Sequence, residues 1–169
     1  MELTKAILSR RSIRKYTDQP VSDEDIDALL IAAMHAPSAV NEQPWHFVII
    51  KDRETLGAIS KMSPTAPMVK YAPVAIAVCA DKNREKFPGL CVLDCSAAAE
   101  NILLAATGRR LAAVWTAVYP FEERVKGIKE LLNLPGNVIP LCIIPVGHAA
   151  ETPAPVDRYN ASCIHHDTW

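Results

Sequence analysis

Two apolar runs constrain this chain more than anything else in it. Val74–Ala80 lies between Pro73 and Asp81, and Val138–Gly147 carries Pro140 and Pro145 within it. Even extended back to Ala72, the first is too short to cross a bilayer, and so is the second. Both therefore read as buried strands. Proline donates nothing to a ladder, so Val138–Gly147 is expected partly at a sheet edge or with a bulge. Trp45–Ile50 and Ala112–Val118 read as two more strands.

Helical patterns surround these strands. Leu3, Ile7 and Leu8 give a short apolar face that ends near Arg10. Ser22 is a good N-cap, Asp23, Glu24 and Asp25 load the next turn with acid, and Ile26, Leu29, Leu30 and Ala33 share one face up to Pro37. A short helix is expected around Glu54–Lys61. The longest runs over Leu90–Thr107, with Gly108 as its C-cap. Its Ser96-Ala97-Ala98-Ala99 either admits a close helix neighbour or reflects alanine's helix propensity. Pro120 opens a last helix through Leu132, with Val125, Ile128, Leu131 and Leu132 inward. Two helices precede the first strand, and the order never repeats βαβ. The expected class is α+β, a mixed sheet flanked by helices. At 169 residues, without linker or repeat, residues 1–169 are expected to form one domain. The segment His148–Trp169 lacks periodicity yet holds Tyr159, Ile164 and Trp169, so an extended C-terminal arm needs a surface to lie on.

Charge is uneven. Lys5, Arg10, Arg11, Arg14 and Lys15 against Glu2 give residues 1–16 a net +4; the whole chain is −1, so the remainder carries −5. A protein that coats nucleic acid is basic overall, and this one is not. The knot Arg10-Arg11-Ser12-Ile13-Arg14-Lys15-Tyr16 suggests a bound anion, since guanidinium meets phosphate in a two-pronged way. It also suits cations gathered at a helix C-terminus. Neither GxGxxG nor GxxxxGK[ST] occurs. Five cysteines with no apolar leader segment point to reduced thiols in the cytoplasm, with no membrane partner. There is no CxxC pair. Cys163 with His165 and His166 has the residue types for a metal, but adjacent side chains diverge, and no metal is expected. His148 is expected at the surface.

The knot Arg10–Tyr16 resembles the opening motif of the FMN-dependent nitroreductase family, and specifically its short, single-domain members. Ala36-Pro37-Ser38-Ala39-Val40-Asn41-Glu42-Gln43-Pro44-Trp45 is similar to that family's second motif, and Leu93–Ala106 to its central helix. Trp115-Thr116 and the late Gly147 and Arg158 also fit. The resemblance covers nearly the whole chain. It implies a homodimer with FMN at the subunit interface and NADH or NADPH as donor. Arg10, Ser12 and Arg158 would hold the phosphate, Arg11 would lie along the ribityl chain, and Arg14 would reach the pyrimidine edge, where negative charge builds on reduction. Pro37, Ser38, Ala39, Asn41 and Gln43 would approach from the other subunit. Thr116, Ala117 and Val118 would run past the ring. Asn41 also reads as a turn residue and Trp115 as core.

The implied activity is ping-pong hydride transfer from NAD(P)H through flavin N5 to a nitroaromatic, quinone or similar small acceptor. No catalytic side chain is assigned, because the cofactor carries the chemistry. The short stretch 60–70 leaves open a flavin-binding or flavin-consuming protein with little NAD(P)H turnover. Two departures stand out: Arg109-Arg110 where many members have glycine, and Glu42 where a base is common. Residues 63–68 lack the flavin-edge amide and lysine of larger members.

Overall fold

The computed structural model describes Met1–Trp169. Helix α1 (Leu3–Ser9) is followed by α2 (Asp23–Met34), whose first turn is capped by the Ser22 hydroxyl accepting from the Asp25 N–H. Strand β1 (Trp45–Ile50), helix α3 (Arg53–Lys61) and strand β2 (Val74–Asp81) come next. Helix α4 (Leu90–Gly108) leads to two short strands, β3 (Ala112–Ala113) and β4 (Thr116–Ala117). Helix α5 (Glu122–Leu131) and strand β5 (Val138–Gly147) precede the arm.

The class is α+β, with helices on both faces of the sheet. The sheet is not mixed: its order is β1-β2-β5-β3, with β4 also on β5, and every pair is antiparallel. The reason lies in β5. The α4 crossover does return the chain from β2 to β3 in the same direction, but β5 inserts between them, so no parallel pair hydrogen-bonds. Between β1 and β2, α3 packs on the 3-10 turn Pro67–Tyr71 as a hairpin, so the chain re-enters the sheet antiparallel.

The edge position expected for β5 is also corrected, since β5 is central. Its prolines sit where no donor is required. Pro145 faces the gap between the β3 pairs and the β4 pairs, and Pro140 lies beyond the last β4 pair, beside a register shift opposite Val78 and Cys79. The expected strand Ala112–Val118 is split because Val114 and Trp115 leave the ladder across that same gap. The last helix starts at Glu122, two residues after Pro120.

Alternation along β2 divides the core. Ile76, Val78 and Ala80 face α2 and α4, whereas Ala75, Ala77 and Cys79 face α3 and α5. Ala98 and Ala99 are fully buried against the larger cluster, where α2 packs on α4. The small residues thus serve close packing within the chain. By length and composition α4 could span a bilayer, but here it is a core helix whose Cys95, Ala98, Ala99, Ile102 and Ala106 are fully buried.

Gly108 is the last residue of α4 and not its cap, which falls on Arg109. Arg110 takes the left-handed conformation (φ 63°), donating its N–H to Thr107 O, while the Leu111 N–H reaches Ala106 O. This is a Schellman ending with arginine where glycine is favoured. Arg109 has a use: its guanidinium lies 2.5 Å from Asp25 and 3.6 Å from Glu24, tying the end of α4 to the start of α2 and holding the Asp25 carboxyl below its ordinary range. Arg110→Gly should therefore stabilise the protein by about 1 kcal/mol, because the left-handed penalty vanishes. Urea denaturation checks it; an unchanged or lower midpoint contradicts the reading.

Candidate functional site

Residues 10–16 leave α1 and dock along the end of the sheet. The Ile13 N–H donates to Ala113 O at 3.1 Å, the Thr17 N–H to His148 O at 2.9 Å, and the Ala150 N–H to Lys15 O at 2.9 Å. Tyr16 bridges to Ala149 and donates its hydroxyl to Ile13 O at 2.9 Å; burial pushes the phenol well up. Gly147 makes this docking possible, since a Cβ there would meet Tyr16 Cδ1 and Pro73 Cδ at 2.9 Å. The basic knot is thus fixed by backbone bonds on both sides, which leaves its side chains available.

Apart from Arg11, which also lines a cavity of about 470 Å³ beside Glu2 and Lys5, those side chains divide between two cavities. One, of about 660 Å³, is lined by Arg10, Arg11 and Arg158, with Ile7, Glu100 and Tyr159. Arg10 Nε lies 3.6 Å from Glu100 Oε1, a loose pairing that leaves guanidinium donors free. Arg11 is committed differently. It donates to Leu8 O at 2.9 Å, Arg10 O at 2.8 Å, Ala154 O at 3.4 Å and Val156 O at 3.5 Å, clamping the arm to the end of α1. The second cavity, of about 620 Å³, is lined by Arg14, Lys15, Tyr16, Met68, Tyr71 and Glu151, among others. Here Glu151 Oε1 accepts the Arg14 N–H at 2.7 Å, and Arg14 Nη1 donates to Ser12 O at 3.3 Å. Ser12 is half-buried between the two arginine positions and lines neither cavity.

Residues 37–43 lie elsewhere on the molecule. Ser38 and Ala39 are half-buried, whereas Pro37, Asn41 and Gln43 are exposed. Val40, Asn41 and Gln43 all have positive φ (43°, 56° and 46°), a conformation costly for side chains with a Cβ. The strain is held by a set of bonds. The Ala39 N–H donates to Asp94 Oδ1 at 2.9 Å, the Gln43 N–H to Ser38 Oγ at 3.0 Å, Gln43 Nε2 to Asn41 Oδ1 at 2.9 Å, and Arg84 Nη1 to Gln43 O at 3.0 Å. Asp94 and the Arg10 partner Glu100 are six residues apart on α4, about 9 Å along its axis and on different sides of it. Within one chain, segment 37–43 and the arginines do not share a cavity.

Thr116, Ala117 and Val118 are bound into the sheet. Thr116 is buried and donates to Ile143 O at 2.6 Å, Ala117 O accepts from Arg124 at 3.0 Å, and the Val118 N–H donates to Leu141 O at 3.0 Å. His148 points to Pro20 O at 3.3 Å, away from both cavities, and His165 stacks on Trp169.

Sequence reasoning missed the surroundings of Arg14. Met68 and Tyr71 sit on the 3-10 turn Pro67–Tyr71, at and just beyond the end of stretch 63–68, and only that turn's packing brings them near. It also missed Asp94, although its place among Cys91, Cys95 and Ala98 on the apolar side of α4 marks it as a buried acid.

Comparison with known proteins bears on this arrangement. The sequence pattern of the Nitroreductase family matches residues 7–66 and 55–148. A protein of Methanothermobacter thermautotrophicus, provisionally named an NADH dehydrogenase/NAD(P)H nitroreductase, is 52% identical over 169 residues, covering 100% of this chain and 88% of that one. A crystal structure of a similarly named protein from Parabacteroides distasonis has a TM-score of 0.96 at 43% identity, covering 99% and 98% of the two chains. An FMN-dependent nitroreductase from Clostridium difficile has a TM-score of 0.88 at 31% identity, covering 98% of this chain and 99% of that one.

Proposed function

This chain belongs to the nitroreductase family, and we propose that it is an FMN-dependent NAD(P)H oxidoreductase acting on a nitroaromatic, quinone or similar small acceptor. The observation that carries the reading is the convergence of Arg10, Arg11 and Arg158, from opposite ends of the chain, on one cavity. When bound, FMN supplies hydride transfer at N5, from NADH or NADPH to the acceptor. The residues fit that group. Arg10 and Arg158 have donors for a dianionic phosphate, and Ser12, two residues after Arg10 though outside the cavity lining, would add its hydroxyl. Arg11 keeps the arm, and with it Arg158, next to Arg10. Arg14, anchored by Glu151 on its own N–H and by Ser12 O on its side chain, places a cation at the mouth of the second cavity, where it favours negative charge on the pyrimidine edge.

The site requires two chains. Segment 37–43 lines neither of the cavities that hold the arginines of its own chain. Leu3, Ile7, Leu8, Ile31, Met34 and Leu93 are more than half exposed on α1, α2 and α4. Such a surface suits a second copy, which would bring Ser38, Ala39 and Asn41 to the partner's flavin.

The test is spectroscopic and kinetic. The flavin-loaded protein, free of oxygen, should bleach on adding NADH or NADPH, and double-reciprocal plots should run parallel, since one face serves donor and acceptor in turn. A flavin that stays yellow with both nucleotides would make this a flavin-binding protein instead. Intersecting lines would overturn the shared face.

A further inference from the structure

Two buried side-chain oxygens in the whole chain lack a hydrogen-bond partner, Glu42 Oε1 and Asp94 Oδ2, and they belong to neighbouring carboxyls. Glu42 is 9% exposed and Asp94 6%. Each has its other oxygen engaged by a backbone donor: Asp94 Oδ1 accepts from the Ala39 N–H at 2.9 Å, and Glu42 Oε2 from the Lys86 N–H at 2.8 Å. Two ionised carboxylates cannot satisfy each other, because both only accept. A single proton between the orphan oxygens satisfies both at once and removes one buried charge.

We infer that Glu42 and Asp94 share one proton, and that this carboxyl pair is the latch that holds the strained segment 38–43 against α4. The surroundings favour it. Burial, the largest cause, pushes the Asp94 carboxyl up; Glu42 and Glu85 push the same way, and the Ala39 N–H opposes them. The turn after β2 supplies Glu85, which caps α4 through the N–H groups of Gly89 and Cys91, along with Lys82 and Arg84. Helix α4 itself adds the Cys91 and Cys95 thiols, both pushed up by burial and neutral. Arg84 is occupied with Gln43 O, so no cation is bonded to the pair. On one side the latch takes the Ala39 N–H. On the other it fixes Glu42 between Asn41 and Gln43, two of the three residues of this segment with positive φ. Asp94 and Glu42 are therefore positioning residues, acting on 38–43 rather than on substrate.

A carboxyl raised in the folded state stabilises below its unfolded value, about 3.9 for aspartate, and that stabilisation is lost as pH rises through the folded value. The latch should loosen toward alkaline pH. The readout is hydrogen-exchange protection of the Ala39 amide in the flavin-loaded protein, followed across pH and corrected for intrinsic exchange. In the native protein, protection should fall at least tenfold as the pair loses its proton. Asp94→Asn keeps an oxygen for Ala39 and brings a permanent donor for Glu42, and Glu42→Gln brings one for Asp94. Both should stay protected with a flat profile. Asp94→Ala should lose protection at every pH; if it does not fold, the two amide variants carry the test. A native profile that is already flat, or a pH-dependent step that survives in Asp94→Asn, overturns the shared proton. That 38–43 then borders the flavin rests on the reading above. FMN affinity that tracks Ala39 protection supports both; affinity that stays constant while protection moves overturns the flavin contact of 38–43 and leaves the latch standing.

Discussion

Arg14→Ala should weaken FMN binding roughly ten- to a hundredfold, because a charge-assisted hydrogen bond is worth about 1.5–3 kcal/mol and each 1.4 kcal/mol is tenfold. It should also lower the flavin's reduction potential, since the cation at the mouth of the second cavity favours the charge that arrives with reduction. The two effects separate roles. Arg14 is exposed, and its side chain makes one bond within the chain, to Ser12 O, so the substitution leaves the docking of residues 10–16 intact. A structural role would lower affinity alone. Titration of the apoprotein with FMN gives the first quantity, and spectroelectrochemistry of the loaded protein the second. An unchanged potential would remove Arg14 from the pyrimidine edge even if affinity fell.

Much of this was legible in the sequence because the signals were local. Ser22 with three acids behind it fixes where α2 begins, and the bond from the Asp25 N–H to Ser22 Oγ shows that cap in place. The apolar run bounded by Pro73 and Asp81 marks β2. The missed features depend on what lies beside a segment. Nothing local in Val138–Gly147 tells that a strand with two prolines is central; that follows from β3 and β4 pairing with it discontinuously. Gly108 looks like a cap, but it is the last helical residue, and the left-handed turn falls two residues on, at Arg110, where the buried Leu111 bonds back to Ala106 O. The knot Arg10–Lys15 was visible as charge, yet its division between two cavities depends on residues more than fifty positions away, Met68 and Tyr71 on one side and Arg158 on the other. A buried acid pair is harder still. Glu42 sits in a polar run and Asp94 in an apolar one, and only the fold makes them neighbours.

Mixing two inactive variants should restore activity if the flavin site is built from both subunits. Arg10→Ala removes a cation proposed to hold the phosphate, and Asn41→Ala alters the segment proposed to reach the partner's flavin. When the two are unfolded together and refolded, random pairing makes about half the dimers mixed, and each mixed dimer has one site with both residues intact. Activity should reach roughly a quarter of the native value, against little for either variant alone. The geometry behind this is the separation along α4. Arg10 pairs with Glu100, whereas Ala39 bonds to Asp94 on another side of α4, and within one chain residues 10 and 41 line no common cavity. The arm gives the same indication, since residues 152–169 are exposed throughout and Trp169 is 99% exposed, an arrangement suited to a surface on another molecule. An obligate dimer has no stable folded monomer, so exchange should require unfolding, and mixing the folded variants should recover nothing over the same interval. Each variant alone must regain native circular dichroism for the result to count. The shared site would be falsified if the refolded mixture stays inactive under that condition, or if the native protein sediments as a flavin-loaded monomer.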